Sequence, residues 1–320
     1  MQGVVLAAGK GSRLHPLTLD RSKAMLPVAG KPMVERVMSL LVENGIDDLI
    51  LVVSPEDREI ARYFGRGSRL EADVRFVYQM ERKGMAHALS YAAPLIDEPF
   101  VLSACDNLVS VDAVGRLIAL MSGEPRPNGV LTLMTVEPEK LRTGASVEMH
   151  GGWVTRIVEK PRPEEAPSNV ASLPLYAFSP RILDLLPAVP VSSRGEYELQ
   201  DAIQMLIDSE GRVGGILVDW RKTVTKAADL IALNRETLMQ DADASRVTPH
   251  AVGHATALVT PLHIGPNTTI GSHCTVGPNV TIEGDCRIGD GVTLRDAVLL
   301  RGATVASGCE VANEVVAASL

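Results

Sequence analysis

The last quarter of the sequence carries a repeat that restricts the possible folds more than any other feature. From residue 258 to residue 300 an aliphatic side chain recurs at every sixth position, and turns rich in glycine or asparagine follow several of these positions. An α-helix has a period of 3.6 residues and an amphipathic strand has a period of two, so neither alone explains this spacing. A short strand and a tight turn, with one inward aliphatic side chain per flat face, do explain it. The repeated positions are Leu258, Ile264, Ile270, Val276, Ile282, Ile288, Leu294 and Leu300.

Three such faces make one coil, and successive coils stack into a solenoid. The repeat resembles that of left-handed parallel β-helix (hexapeptide-repeat) proteins, and the expected handedness comes from this resemblance. Val305 and Val311 come one residue early, which predicts that the register breaks after Leu300 and that the last coil is irregular. A polar stretch precedes the repeat. We therefore predict two domains, residues 1–245 and residues 246–320.

The first 240 residues alternate between short apolar segments and helical patterns. Alternation of this kind predicts βαβ units and a mainly parallel, Rossmann-like sheet. The clearest helical pattern covers residues 32–44, with Pro32 in the first turn and Gly45 at the C-cap. The predicted strands are residues 3–8, 48–53, 74–78, 100–104 and 129–135.

Composition limits the classes of function. The net charge of −8, with no strongly basic segment, argues against a nucleic-acid partner. The four cysteines form no CxxC pair, which argues against a zinc or redox motif. No apolar run approaches the roughly 20 residues of a membrane span, and no secretory signal is apparent. These features predict a cytoplasmic protein, and an anionic small ligand remains possible because a local cluster of lysine and arginine can oppose the net charge.

The segment LAAGKGSRLHPLT follows the first predicted strand and has the composition of a phosphate-binding loop. Gly9 and Gly11 allow backbone N–H groups to approach an oxyanion, while Arg13 and the downstream Lys23 supply positive charge. The third glycine of the dinucleotide-binding motif is replaced by Leu14, and the Walker spacing is absent. Lys10 and Lys31 are interpreted as solvated surface lysines as readily as ligands.

With these residues in place, the sequence resembles the sugar-1-phosphate nucleotidylyltransferases, most closely the glucose-1-phosphate thymidylyltransferase and uridylyltransferase branches. The resemblance covers about residues 1–240, and relatives also carry β-helical tails. Later segments also match the family in order. QMERKGMAHAL resembles the segment that holds the nucleoside, with Gly84 allowing a base to lie close, and CDN resembles the segment of the metal-binding aspartate. VEKP resembles the sugar-phosphate contact, and GEYELQDAI resembles a late active-site helix. The matching signature residues are Gly9, Gly11, Ser12, Arg13, Leu14, Pro16, Thr18, Lys23, Leu26, Val28, Lys31 and Pro32.

The resemblance implies that a nucleoside triphosphate and a hexose 1-phosphate form an NDP-sugar and pyrophosphate, with Mg²⁺ as cofactor and dTTP or UTP favoured. Arg13, Lys23, Asp106 and Lys160 are the implied catalytic residues, and Asp106 is the implied metal ligand. The implied nucleotide-binding residues are Leu6, Ala8, Gly9, Gly11, Ser12, Arg13, Gln79 and Gly84. The implied sugar-binding residues are Asn107, Gly144, Glu159, Lys160 and Asn169.

One position departs from the family. Relatives carry a second metal-binding carboxylate two residues after a tryptophan, where this chain has Lys222 after Trp220. Either Asp106 and the substrate phosphates hold the metal alone, or Lys222 substitutes a fixed positive charge, or activity is impaired. We favour an active enzyme with unusual metal dependence.

Two other functions are compatible with the sequence. A non-catalytic relative could bind nucleotide sugars and regulate a partner, and the lysine at position 222 is its only support. A bifunctional enzyme could transfer an acyl group on its β-helix, but three to four coils leave little room for an acyl-donor groove. The repeat is better interpreted as an oligomerisation module, which predicts a homo-oligomer.

Overall fold

The computed structural model describes residues 1–65, 70–241 and 244–318. Two compact units are present. The sheet unit comprises Met1–Gly9 and Val34–Lys222, and the β-helix unit comprises Lys10–Met33 and Thr223–Leu320. The domain boundary between residues 245 and 246 stays a prediction. Residues 242 and 243, in the polar stretch before that boundary, and residues 319 and 320, at the end of the predicted second domain, lie outside the described residues.

A nine-stranded mixed sheet organises the sheet unit, in the order β5-β4-β1-β6-β10-β7-β11-β9-β8. Strands β9 and β10 run opposite to the other seven, so the sheet is mainly parallel in strand direction. The strands up to residue 222 are β1 (Gln2–Leu6), β2 (Pro27–Val28), β3 (Lys31–Pro32), β4 (Asp48–Val53), β5 (Asp73–Tyr78), β6 (Phe100–Ala104), β7 (Gly129–Thr135), β8 (Ala145–His150), β9 (Trp153–Glu159), β10 (Val170–Phe178) and β11 (Val213–Leu217).

Helices pack on this sheet through a continuous apolar core. Phe100, Tyr176 and Phe178 are among the largest side chains in it. The centroid of the Phe178 ring lies 6.0 Å from that of Phe100 and 5.5 Å from that of Tyr176. The helices are α1 (Met33–Val42), α2 (Arg58–Gly65), α3 (Met85–Ala92), α4 (Val111–Met121), α5 (Arg181–Leu185), α6 (Leu199–Glu210) and, in the β-helix unit, α7 (Ala227–Gln240). None of the helices within the described ranges is long and apolar enough to span a membrane.

The predicted strands agree with β1, β4, β5, β6 and β7 to within two residues at either end. The predicted helix over residues 32–44 is observed as α1. Pro32 does not lie in its first turn, because this residue pairs with Pro27 in the short β2–β3 hairpin immediately before the helix. Gly45 has the left-handed φ of 78° that was expected of a residue after a helix end.

Three parallel four-stranded sheets form the faces of the left-handed β-helix. Each face receives one strand from each of four coils, and the inward aliphatic side chains stack into one core. The strands are β12 (Ala251–Val252), β13 (Ala257–Leu258), β14 (Leu262–Ile264), β15 (Thr269–Ile270), β16 (Thr275–Val276), β17 (Val280–Ile282), β18 (Arg287–Ile288), β19 (Thr293–Arg295), β20 (Ala297–Leu299), β21 (Thr304–Val305), β22 (Glu310–Ala312) and β23 (Val315–Val316).

The register of the repeat changes earlier than the sequence pattern predicts. Ile264 pairs with Ile282, but Ile282 pairs with Leu299 rather than with Leu300. The turn between Leu294 and Ala297 is therefore one residue shorter than the corresponding turn of the preceding coil, between Val276 and Val280. The last coil is also regular in its pairing, since β21, β22 and β23 each continue a parallel sheet. Both predictions, a break after Leu300 and an irregular last coil, are therefore wrong. The one-residue shift lies in the turn before Ala297, and the strands that follow keep their parallel pairing.

We expect the stacked aliphatic core to dominate the stability of the β-helix. Val276→Ala removes two carbons from a side chain that is 0% exposed and should lower the free energy of unfolding by about 2–3 kcal/mol. Val259→Ala makes the same change where the side chain is 39% exposed and should cost less than about 1 kcal/mol. Urea unfolding of both variants measures the difference. Equal losses would contradict this description of the core.

Candidate active site

The carboxyl ends of the parallel strands provide the candidate site of the sheet unit. Strand β1 pairs in parallel with both β4 and β6, so the segments that follow these strands leave the sheet at the same edge. In open α/β sheets, ligands bind in the crevice at that edge. Predicted site residues that lie at or just beyond the ends of β1, β5 and β6 are Leu6, Ala8, Gly9, Gln79, Asp106 and Asn107.

Gln79 is held by neighbouring side chains at the end of β5. It is 3% exposed, and its Nε2 lies 3.1 Å from Nδ1 of His87 and 3.4 Å from the carbonyl oxygen of Gly84. The His87 ring in turn stacks on Tyr197 at a centroid distance of 5.8 Å. The predicted nucleoside segment and the predicted late active-site helix are therefore in direct contact.

Gly84 is required by a close approach of two chain segments. Its φ is 100°, and a Cβ placed there would lie 2.5 Å from the carbonyl oxygen of Tyr197. That same carbonyl accepts a hydrogen bond from the backbone N–H of Ala86 at 3.1 Å. The sequence predicts that Gly84 leaves room for a base, and the structure adds a second reason for glycine at this position.

Arg82 is a residue that the sequence analysis missed. Its Nε donates to the carbonyl oxygen of Ala8 at 2.7 Å, and its guanidinium lies 2.9 Å from the carboxylate of Glu56. Arg82 thereby links the nucleoside segment to the turn after β1. The available signal was its position inside QMERKGMAHAL, between Gln79 and Gly84.

The segment around Trp220 runs alongside the segment that follows β6. The backbones of Leu108 and Lys222 exchange two hydrogen bonds, of 2.8 and 3.0 Å. Nε of Arg221 donates to Oδ1 of Asn107 at 2.6 Å, and Asn107 is 1% exposed. Its Nδ2 is buried and has no hydrogen-bond partner among the residues that the structure describes. Because an unsatisfied buried amide is costly, this N–H group is available for a ligand acceptor.

Arg221 is a cation beside the predicted metal ligand. Burial lowers the pKa of the Arg221 guanidinium, while the negative charge of Asp106 and the Tyr176 hydroxyl act in the opposite direction. Nζ of Lys222 lies 5.1 Å from the centroid of the Trp220 ring. Lys222 is the substitute charge that the family pattern suggests, and Arg221 is a second one that the pattern does not reveal. Neighbouring residues of an extended segment point to opposite sides, so either cation could face Asp106.

A second group of predicted residues surrounds the end of β9. The backbone N–H of Lys160 donates to the carbonyl oxygen of Gly144 at 2.9 Å, and Nζ of Lys160 lies 3.3 Å from the carboxylate of Glu159. Asn169 lies just before β10, where its carbonyl accepts from Val136 at 3.0 Å. Lys160 has a φ of 44°, an unfavourable value for a residue with a side chain. Such strain is concentrated at functional sites.

Burial controls the protonation of this group. The Glu159 side chain is 13% exposed, and burial raises its pKa, an effect that Lys160 opposes and Glu198 reinforces. Burial also raises the pKa of Tyr176 to about 12. The Tyr176 hydroxyl lies 3.4 Å from Oγ of Ser172 and remains protonated at neutral pH. These groups can donate and accept hydrogen bonds.

The segment Lys10–Met33, which carries most of the signature residues and is called the signature loop below, belongs to the β-helix unit. Gly11 has a φ of 64°, and a Cβ there would lie 2.9 Å from Cβ of Lys23. Oγ1 of Thr18 donates to the carbonyl oxygen of Gly11 at 2.9 Å and closes the loop. The following single turn, Ser12–Leu14, exposes Ser12 and Arg13. The structure therefore brings Gly11, Arg13 and Lys23 into one loop.

The protein donors for a metal ion are few. Within the described ranges, no group of three or more His, Cys, Asp or Glu side chains is arranged to bind a metal. Asp106 offers one hard carboxylate. Mg²⁺ is commonly bound by one or two carboxylates together with substrate phosphates, so Asp106 fits an ion that is held largely by phosphate oxygens.

The fold agrees with the comparisons. The profile of the family described as "Nucleotidyl transferase" matches residues 2–235, and the chain belongs to this family. A second profile, "GMPPB C-terminal domain", matches residues 258–320.

Similar proteins include a UTP–glucose-1-phosphate uridylyltransferase, AglF, from Haloferax volcanii. It is 37% identical over 69% of this chain and 90% of that protein. A glucose-1-phosphate thymidylyltransferase from Streptomyces antibioticus is 31% identical over 75% of this chain and 67% of that protein. Among solved structures, a UDP-glucose pyrophosphorylase complexed with UDP-glucose shares the fold. Its TM-score is 0.68 at 21% identity, over 75% of this chain and 98% of that chain.

We expect Glu159→Gln to change the pH dependence of stability. The folded-state pKa of Glu159 lies above the ordinary 4.5, so the folded state binds this proton more tightly than the unfolded state does. The wild type therefore loses stability as pH rises from about 4.5 through the raised pKa, and the glutamine variant does not. Unfolding free energies measured from pH 4 to pH 8 should show the variant gaining on the wild type over that window.

Glu139→Gln, at an exposed position, serves as the matched control and should follow the wild-type pH curve. Parallel curves for the wild type and Glu159→Gln would contradict the assignment of a raised pKa to Glu159.

Proposed function

We propose that this protein transfers a nucleotidyl group from a nucleoside triphosphate, UTP or dTTP, to a hexose 1-phosphate, and releases pyrophosphate. The observation that carries the proposal is the signature loop, in which Gly11 packs directly against Lys23 and the next turn presents Arg13. Two cations on one glycine-containing turn suit the phosphates of a triphosphate. The named activities of the similar uridylyltransferase and thymidylyltransferase support the same reaction.

The nucleophile in this reaction is a phosphate oxygen, so catalysis depends on positioning and charge neutralisation rather than on a strong base. We assign Arg13 and Lys23 to the β- and γ-phosphates. We assign Leu6, Ala8, Gly9, Gly11 and Ser12 to nucleotide binding. Gln79 offers one donor and one acceptor to a pyrimidine edge, beside Gly84.

We assign the hexose 1-phosphate to the residues around the end of β9. Lys160 binds its phosphate, while Glu159, Asn169 and the backbone at Gly144 orient hydroxyl groups. The unpaired Nδ2 of Asn107 donates to a further sugar oxygen. The strained backbone of Lys160 and the desolvated Glu159 carboxyl support a binding role for this segment.

We propose Mg²⁺ as the metal, held by Asp106 and by substrate phosphate oxygens. When bound, the ion neutralises charge on the phosphates. Arg221 adds a fixed positive charge beside Asp106. The expected cytoplasmic location and the expected homo-oligomer formed through the β-helix stay predictions.

The direct test is pyrophosphate release from a panel of nucleoside triphosphates and hexose 1-phosphates with Mg²⁺. We expect turnover with UTP or dTTP, and we expect Arg13→Gln to lower kcat on the order of 10²-fold because one phosphate-binding cation is lost. Arg287→Gln, an exposed arginine of β18 with no assigned role, is the matched control and should retain wild-type kcat. A silent panel with retained NDP-sugar binding would support the regulatory alternative instead.

The metal assignment is tested by Mn²⁺ binding in the presence of nucleotide, measured by electron paramagnetic resonance. Asp106→Asn removes the only protein carboxylate assigned to the metal and should weaken this binding at least tenfold. Lys222→Asp restores the carboxylate that relatives carry and should strengthen the binding of Mn²⁺. If Asp106→Asn leaves binding and turnover intact while Lys222→Asp abolishes turnover, the assignment is wrong.

A further inference from the structure

The signature loop is anchored on the β-helix by an ion pair that the proposed reaction does not use. A guanidinium nitrogen of Arg21 lies 2.7 Å from Oε2 of Glu283, across a separation of 262 positions in the chain. The two side chains are only 8% and 14% exposed. Because both side chains are largely removed from water, this contact restrains the loop more strongly than a surface pair would.

Glu283 is itself held by the next coil. Its backbone N–H donates to the carbonyl oxygen of Leu299 at 2.9 Å, and its Oε2 accepts from the backbone N–H of Arg301 at 2.7 Å. The Arg301 guanidinium lies 3.6 Å from its other oxygen, Oε1, on the exposed side. The carboxylate therefore has a fixed position before it meets Arg21.

The second half of the loop is also attached within the same unit. Asn234 of α7 accepts from the backbone N–H of Ala29 at 2.7 Å and donates to the carbonyl oxygen of Pro27 at 2.9 Å. The His263 ring of β14 lies against Gly30, where a Cβ would be 2.1 Å from a ring carbon. Gly30 also has a φ of 82°, so both shape and conformation require glycine there.

Lys23 lies between these two attachments. Arg21 is two residues before Lys23, and the intervening Ser22 caps the turn that Lys23 begins, because its Oγ accepts from the backbone N–H of Ala24 at 3.3 Å. The backbone of Lys23 is thus restrained from the Arg21 side by the β-helix and from the Pro27–Gly30 side by α7 and β14.

We propose that Glu283 is a positioning residue for the triphosphate-binding loop. Through Arg21, the β-helix sets the geometry of Lys23, so this domain supports nucleotide binding within its own chain. The inference rests on the proposed function for the role of Lys23 toward phosphate. It gives the β-helix a task that is separate from oligomerisation and from acyl transfer.

The first test requires no substrate. Hydrogen–deuterium exchange of the intact protein should show faster exchange of the Ala24, Met25 and Leu26 amides in Glu283→Gln and in Arg21→Gln than in the wild type. Arg301→Gln is the matched control, since it removes a guanidinium from the same carboxylate on the exposed side, and it should leave these amides unchanged. Circular dichroism at the working temperature verifies that each variant is folded. Unchanged exchange in Glu283→Gln overturns the proposal.

The second test separates positioning from general destabilisation. Glu283→Gln and Arg21→Gln should each weaken the binding of inorganic pyrophosphate about tenfold in calorimetry. The double variant should be no weaker than the single variants, because both remove the same interaction. Arg21→Lys, which keeps the charge, should recover part of the affinity. Additive losses, or an equal loss in Arg301→Gln, overturn the proposal.

With substrates, the KM for the nucleoside triphosphate should rise about tenfold while the KM for the hexose 1-phosphate stays within twofold. An equal rise in both overturns the positioning role. If no substrate pair is turned over, the proposed function is refuted. The role of Glu283 is still decided in that case, because amide exchange and pyrophosphate binding require no turnover.

Discussion

The parallel pairing of β1 with β4 and β6 is the constraint on which the candidate site of the sheet unit depends. Parallel strands all end at the same edge, so the segments that follow β1, β5 and β6 are collected there although they are far apart in the chain. These segments carry Gln79, Asp106 and Asn107. The buried strands need only be apolar, and the polar chemistry is confined to the first residues beyond them.

Desolvation then determines what those polar groups can do. Asn107 is buried, its Oδ1 accepts from Arg221, and its Nδ2 has no hydrogen-bond partner within the described part of the chain. Glu159 and Tyr176 have raised pKa values because they too are removed from water. Although the protein has a net charge of −8, Arg221 and Lys160 place positive charge beside these groups in the sheet unit. Groups of this kind are suited to orienting a ligand through hydrogen bonds and charge.

The β-helix is a regular stack, and that regularity makes it a firm support. Its coils are held by parallel backbone pairing and by one aliphatic core, so a residue such as Glu283 is placed with little freedom. The signature loop, in contrast, consists of single turns and one two-residue hairpin, whose backbone hydrogen bonds are local. Arg21, Asn234 and His263 attach these turns to more distant parts of the β-helix unit.

The amino-acid sequence by itself determined the two architectures, because periodicity and the spacing of glycines are local properties. The strands from β1 to β7 in the sheet, the β-helix and the signature residues from Gly9 to Lys23 were all predicted from it. Only the tertiary structure decided the true register of Leu299, the pairing of Arg221 with Asn107, the link from Arg82 to Ala8 and the ion pair of Arg21 with Glu283. Each of these depends on which distant segments meet, and contacts of that kind leave no periodic trace in the chain.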